Sequence, residues 1–242
     1  MDLKIKDVAE LLNVSETTIR RWLTAGKIPA YKIHGQYRFS RIEIEEWVMK
    51  HKLNKTYGKS PFAIEEDDLP RASEGKLQFS LMRAIYRGAV YHDIPGDTKE
   101  EVIRNTMRLF AKEYDLDAEV LSDLLLDREK LMPTALNNGL AVPHARDLLS
   151  QQKHNTIALA FPKKPIDYEA LDGKPVYCLF FLFAAEDRDH LHLLAKIAHL
   201  SSNAEALELL RSKPEKATLL SYIKTWESRV SRQSEKETVT IG

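Results

Sequence analysis

The chain has 242 residues, 43% of them hydrophobic, with a single cysteine and 36 basic side chains balanced by 36 acidic ones. That length and apolar content exclude a wholly disordered chain and leave room for one large or two modest domains. The lone Cys178 excludes an intrachain disulfide, and a net charge of zero by itself points to no partner.

The charge is unevenly spread. Residues 1–60 carry 12 Lys/Arg against 7 Asp/Glu, and residues 61–75 carry one against five. A basic N-terminal module is thus followed by an acidic connector. Lys4, Lys6, Asp7 and Glu10 interrupt any apolar leader, and the longest apolar run, residues 176–185, is about half a membrane span. The expectation is a cytoplasmic protein without a membrane segment.

Ile5, Val8, Leu11 and Leu12 recur at helical spacing, and Asn13-Val14 breaks the pattern. Ser15 suits the N-cap of a second helix with the stripe Ile19, Trp22, Leu23, and Gly26 suits its end. This is a helix-turn-helix pattern. Thr17, Arg21 and Thr24 point away from the stripe, with Thr18 and Arg20 at its flanks. Short hydroxyls and arginines on an outer face are what a groove-reading helix needs, because guanidinium groups bond guanine edges and phosphates. Residues 30–39 read as a hairpin turning at Gly35, a basic and aromatic wing. Ser40 and Glu43 form a capping box for a third helix with the stripe Ile44, Trp47, Val48.

Residues 3–49 resemble the excisionase-type winged helix-turn-helix module related to the MerR regulators. The residues that carry the likeness are Asp7-Val8-Ala9-Glu10-Leu11-Leu12-Asn13-Val14-Ser15, Thr18-Ile19-Arg20-Arg21-Trp22, Gly26-Lys27-Ile28-Pro29-Ala30 and Tyr37-Arg38-Phe39. The resemblance implies a DNA partner, with Thr17, Arg20 and Arg21 as helix contacts and Lys32 and Arg38 as wing contacts. One copy should bind weakly, so useful affinity calls for a homodimer on two half-sites.

The domain organisation expected is a helix-turn-helix domain over 1–50, a linker over 51–75, a larger domain over 76–228 and a flexible tail over 229–242. Pro61, Pro70 and the run Glu65-Glu66-Asp67-Asp68 mark the linker. In the larger domain a helix is expected within 77–89 and a strand from Val90. Further helices should run from Thr98 to about Tyr114 and from Asp117 to about Leu126. A loop holding Arg128, Glu129 and Thr134 should follow, then strands over 156–161 and 176–183. Helices are expected from Asp187 or Asp189, over 204–210 and over 214–222. Strands alternating with helices imply an α/β sandwich with a mixed, partly parallel sheet.

Leu136-Asn137-Asn138-Gly139-Leu140-Ala141-Val142-Pro143-His144 is the stretch with most chemical content. It reads as a tight turn, with Gly139 and either asparagine suited to positive φ, then a short apolar strand. Pro143 should end the pairing and present His144 at the strand edge. A lone histidine there is ordinarily structural, but a neutral imidazole is also a nucleophile. Phosphoryl transfer to it would need donors or positive charge around three equatorial oxygens. Arg128 offers a fixed cation, His190 stands at a predicted helix start, and the Thr134 hydroxyl suits orienting an imidazole. His192 and His199 lack an evident third ligand, so neither a metal nor another cofactor is expected.

Residues from about 77 to 226 resemble the type-2 IIA domain of the bacterial phosphotransferase system, the fructose/mannitol class and its nitrogen-regulatory branch. The likeness rests on Asp127-Arg128-Glu129-Lys130, Thr134, Gly139-Leu140-Ala141-Val142-Pro143-His144-Ala145, Leu171-Asp172-Gly173-Lys174-Pro175-Val176 and Asp189-His190-Leu191-His192-Leu193-Leu194-Ala195. It implies that His144 accepts a phosphoryl group from a histidine-containing carrier of the HPr type, that Arg128 holds the phosphoryl oxygens and that His190 lines the pocket. Asn137 stands where that family usually has a small residue, which adds bulk near the acceptor. The function expected is a phosphocarrier coupled to DNA binding, a transcriptional regulator rather than a turnover enzyme, with room for regulatory protein partners. The alternatives are a carrier that passes phosphate to a sugar-transport IIB component and a catalytically silent protein-binding module.

Overall fold

The computed structural model describes residues 2–12, 14–54, 79–145 and 154–239. The break expected at Asn13 and residues 55–75 of the connector expected over 51–75 lie outside the described residues, while residues 51–54 of it are helical. In chain order the elements are β1 (Asp2–Leu3), α1 (Ile5–Leu12), α2 (Glu16–Thr24), β2 (Tyr31–Ile33), β3 (Gln36–Ser40) and α3 (Arg41–Asn54). Then come α4 (Ser80–Arg87), β4 (Val90–Ile94), α5 (Lys99–Tyr114), α6 (Ala118–Leu131), β5 (Leu140–Ala141), β6 (Thr156–Pro162), β7 (Cys178–Phe183), α7 (Asp187–Leu200), α8 (Ala204–Arg211) and α9 (Lys216–Val239). The chain divides into two units, residues 1–78, 186–199 and 228–242 in the first and residues 79–185 and 200–227 in the second. Most of α7 therefore falls with the N-terminal module. No helix among the described residues is long and apolar enough to cross a membrane.

In the first unit, Ser15 caps α2 by accepting a hydrogen bond from the Thr18 amide at 3.1 Å. This satisfies one of the donors that a helix start leaves open. Gly26 takes a φ of +64° just past the helix end, as its position in the sequence predicts. β2 and β3 pair antiparallel, Tyr31 opposite Arg38, around a turn at His34 and Gly35, and β1 pairs with the other edge of β3. Val8, Ile19, Phe39 and Ile44 are fully buried, and the Trp22 and Trp47 rings lie 5.4 Å apart. The helix-turn-helix and its wing thus share one small core. α3 runs four residues past the boundary expected at 50, because no proline or glycine interrupts Lys50 to Asn54.

The second unit holds a four-stranded sheet in the order β4-β6-β7-β5. β4 runs parallel to β6, β6 antiparallel to β7, and β5 parallel to β7, the mixed sheet expected. Every residue of β6 and β7 is buried, so these two strands are covered on both faces. Ile103, Met107 and Phe110 of α5 and Leu121 and Leu125 of α6 pack with Phe181 and Phe183 of β7 in one core. Thr98 and Asp117 cap α5 and α6 through their side chains, as expected.

Two expectations about element length need correction. α6 ends at Leu131 rather than near Leu126, so Arg128 and Glu129 lie on its last turns and not in a loop. Arg, Glu, Lys and Leu are good helix formers, and cations near a helix C-terminus are favoured by its dipole. α9 continues to Val239, through most of the stretch expected to be a tail.

Candidate functional site

The site grows from a reversal of the chain. Leu136 donates its amide to the Leu140 carbonyl at 2.7 Å, and Val142 donates to the Thr134 carbonyl at 3.0 Å. A single 3-10 turn, Asn137–Gly139, joins the two sides. Gly139 has a φ of +80°, and Asn138, rather than Asn137, shares the left-handed region at +68°. A Cβ on Gly139 would lie 2.6 Å from the Tyr177 ring and 2.9 Å from the Pro175 carbonyl oxygen. The turn is pinned on its outer side as well, since Asn138 donates its amide to Asp172 at 2.8 Å.

From this turn the chain runs along the edge of the sheet. Leu140 and Ala141 pair with Cys178 and Leu179. Pairing does not stop at Pro143, as its missing N–H suggested. The Pro143 carbonyl accepts from the Leu182 amide at 3.0 Å, and His144 bridges to Leu182. Proline removes a donor but keeps its acceptor, and β5 is an edge strand, where that loss is tolerated.

His144 is fully buried. Its Nδ1 lies 2.7 Å from the Val142 carbonyl oxygen. A carbonyl can only accept, so in the neutral ring the proton sits on Nδ1 and the lone pair on Nε2. The main chain itself therefore fixes the tautomer and names Nε2 as the nucleophilic nitrogen.

Arg128 and Glu129 occupy adjacent positions near the end of α6, with only 7% and 3% of their surface exposed. Arg128 donates through Nη1 to the Met132 carbonyl at 3.1 Å, tying its guanidinium to the helix end. Glu129 receives both donors of Thr134, the amide at 3.0 Å and the hydroxyl. The Thr134 hydroxyl thus serves the Glu129 carboxylate, while the bond that orients the imidazole comes from Val142. Burial pushes the Glu129 carboxyl above the usual glutamate range, and the two Thr134 bonds pull it part of the way back. Tyr168, also fully buried, has its phenol pushed well up by burial and next by the Glu129 charge. Arg128, Thr134 and His144 accordingly share the second unit with a carboxylate to which the sequence assigned no role. The signal was available: extending the α6 stripe from Leu121 and Leu125 places Arg128 and Glu129 on the buried face.

His190 lies on the first turns of α7, in the first unit, and is 4% exposed. Its Nε2 is 4.0 Å from Oε1 of Glu45, a fully buried carboxylate on α3. Arg41, one turn earlier on α3, pairs with Glu45 at 3.1 Å and also with Asp187 of α7. The third helix of the DNA-reader-like module is therefore tied to α7 by two side chains, and sequence spacing gave no sign of this.

On the outer face of the same module, Thr17, Arg20, Arg21 and Lys32 are exposed. Arg20 reaches Glu16 at 3.6 Å, an exposed pair that a phosphate could displace at small cost. Lys32 lies 4.9 Å over the Tyr37 ring. Arg38 is half-buried and tied to Gln36 and to the Tyr37 carbonyl, which makes it a brace of the wing as well as a cation.

Comparison with known proteins gives two family matches. The family described as "Phosphoenolpyruvate-dependent sugar phosphotransferase system, EIIA 2" matches residues 86–226, and "Helix-turn-helix domain" matches residues 3–52. A nitrogen regulatory protein of Pseudomonas aeruginosa is 36% identical over 137 residues, 55% of this chain and 88% of that protein. The fructose-specific EIIA component of Haloferax volcanii is 31% identical over 159 residues, 64% of this chain and 85% of that protein. Among solved structures, nitrogen regulatory protein IIA-Ntr from Neisseria meningitidis superposes with a TM-score of 0.52 at 27% identity, over 59% of this chain and 98% of that one.

Proposed function

The chain belongs to the phosphotransferase-system EIIA 2 family through residues 86–226, joined to a helix-turn-helix domain, and from that premise we propose that it is a phosphorylation-responsive DNA-binding regulator. Nε2 of His144 accepts a phosphoryl group from the phosphohistidine of an HPr-type carrier. The donor's P–N bond breaks as the bond from phosphorus to Nε2 forms, the donor nitrogen keeps the electron pair, and no oxidant or reductant is required. The proton on Nδ1 stays where the Val142 carbonyl holds it. Arg128 supplies fixed positive charge for the equatorial oxygens in the loose transition state.

The observation that carries this reading is the 2.7 Å contact from His144 Nδ1 to the Val142 carbonyl. That contact leaves the lone pair on Nε2, the electron pair a phosphoryl acceptor needs. The regulatory half is supported by the attachment of α3 to α7. Arg41 meets Asp187 and Glu45 faces His190, so a helix inside the EIIA 2 match is held to the third helix of the helix-turn-helix module, where a change in the state of that domain can be felt. The relatives described as nitrogen regulatory proteins favour regulation over onward transfer to a sugar transporter.

The test is incubation with phosphoenolpyruvate and the general phosphotransferase proteins, followed by DNA-binding measurements on the phosphorylated and unphosphorylated forms. Acid-labile label on the wild type, absent from His144→Ala, with a changed affinity for operator DNA, is the expected result. Identical DNA binding by both forms would leave a phosphocarrier without regulatory coupling.

A further inference from the structure

Glu129 has no role in the reading above. It sits almost fully buried beside the acceptor, at a cost in desolvation that a glutamine or a leucine would not incur. Its bonds are directional. Both donors of Thr134 point at its two carboxylate oxygens. The Thr134 carbonyl then accepts the Val142 amide at 3.0 Å. The Val142 carbonyl in turn accepts Nδ1–H of His144 at 2.7 Å. Three bonded steps therefore lead from the carboxylate to the ring.

We propose that Glu129 is a positioning residue for His144, acting through Thr134 and Val142 to hold the imidazole in its Nδ1–H tautomer with Nε2 presented to the incoming phosphoryl group. The carboxylate fixes Thr134 at two points. That anchors Thr134, whose carbonyl receives the Val142 amide, and so holds Val142 at the position from which its carbonyl meets the ring. In metal sites a carboxylate behind a histidine sets tautomer and ring orientation in the same way. Here the carboxylate acts through the main chain, and the turn at Asn137–Gly139 keeps the two strands of the relay in register. The proposal rests on the reading of His144 as a nucleophile only for its kinetic consequence; its structural consequence is independent of that reading.

The experiment is histidine-selective 15N NMR on the unphosphorylated full chain, together with the initial rate of label uptake from a phosphorylated HPr-type carrier. Wild type, Glu129→Gln, Thr134→Val and Thr134→Ser are compared. The expected result is one dominant Nδ1–H tautomer of His144 in wild type and Thr134→Ser, mixed tautomers in Glu129→Gln and Thr134→Val, and uptake slowed at least about tenfold in those two. Thr134→Val keeps the threonine amide and loses only the hydroxyl, so it decides the matter if Glu129→Gln does not fold. An unchanged tautomer in both variants overturns the proposal. Slower uptake with the tautomer intact overturns it too, because Glu129 would then act through its field alone. A wild type that takes no label while the tautomers shift as stated removes the phosphocarrier reading and leaves the relay standing.

Discussion

The Val142 carbonyl oxygen lies 2.7 Å from Nδ1 of His144, two residues further along the chain. Backbone geometry thus places the proton on Nδ1 and leaves the lone pair on Nε2. Anything that bends the strand should disturb the chemistry at a distance, and the preceding turn is the most sensitive point.

Gly139→Ala is the sharpest probe of that turn. The residue sits at a φ of +80°, and a methyl group would strike both the Tyr177 ring and the Pro175 carbonyl. Positive φ in a non-glycine residue costs about 1–3 kcal/mol before any clash is counted, so a loss of more than about 2 kcal/mol is expected. Urea unfolding measures it, and a variant as stable as wild type would show that the turn is not the constraint described. The same change at Gly173, where nothing lies within 4 Å but φ is +66°, should cost less.

Glu129 predicts a pH dependence with a definite sign. Burial raises its carboxyl in the folded chain, so the folded state binds that proton more tightly than the unfolded state does. The associated stabilisation is complete below about pH 4.3 and is lost as pH rises through the raised folded value. Glutamine carries no such contribution. The stability of wild type relative to Glu129→Gln should therefore decline as pH rises above about 4.3, as read from urea midpoints. A difference that stays flat or grows with pH contradicts the buried charge.

The ties between α3 and α7 predict both a stability and a coupling effect. Arg41→Ala leaves Glu45, which is fully buried, without its 3.1 Å partner, and removing one member of a buried pair costs about 3 kcal/mol. Thermal unfolding of the full chain checks this. Glu45→Gln removes the charge that faces His190, so label uptake should persist while the difference in DNA affinity between phosphorylated and unphosphorylated forms narrows. An undiminished difference would place the coupling elsewhere.

The proposed DNA face is open to a salt titration. Lys32→Ala should weaken binding alike on all sequences and reduce the slope of log affinity against log salt by about one, the signature of a lost phosphate contact. Arg21→Ala, on the exposed face of α2, should instead relax sequence preference at one base pair. If both variants show only the uniform loss, the helix is not reading bases.

The helix-turn-helix was legible because its apolar stripes, Ser15 cap and Gly26 stop all act locally. The same holds for Thr98, Asp117 and the two apolar strands. What escaped lay beyond local pattern. Arg128 and Glu129 looked like loop residues because charge interrupted the α6 stripe, yet they continue its buried face. Pro143 lacks a ladder donor, which reads as an end to pairing, but its carbonyl still receives the Leu182 amide. Thr134 was expected to orient the imidazole directly, but its hydroxyl answers a buried carboxylate five residues back. Glu45 and His190 lie 145 positions apart in the chain, and no periodicity encodes such a meeting.

The central claim, that Nε2 of His144 is the phosphoryl acceptor, is tested most directly by 31P NMR of the full chain after incubation with phosphoenolpyruvate and the general phosphotransferase proteins. The account predicts one acid-labile phosphohistidine signal of the Nε2-linked isomer, absent from His144→Ala. No phosphohistidine in the wild type, the Nδ1-linked isomer, or a signal that survives in His144→Ala would contradict it.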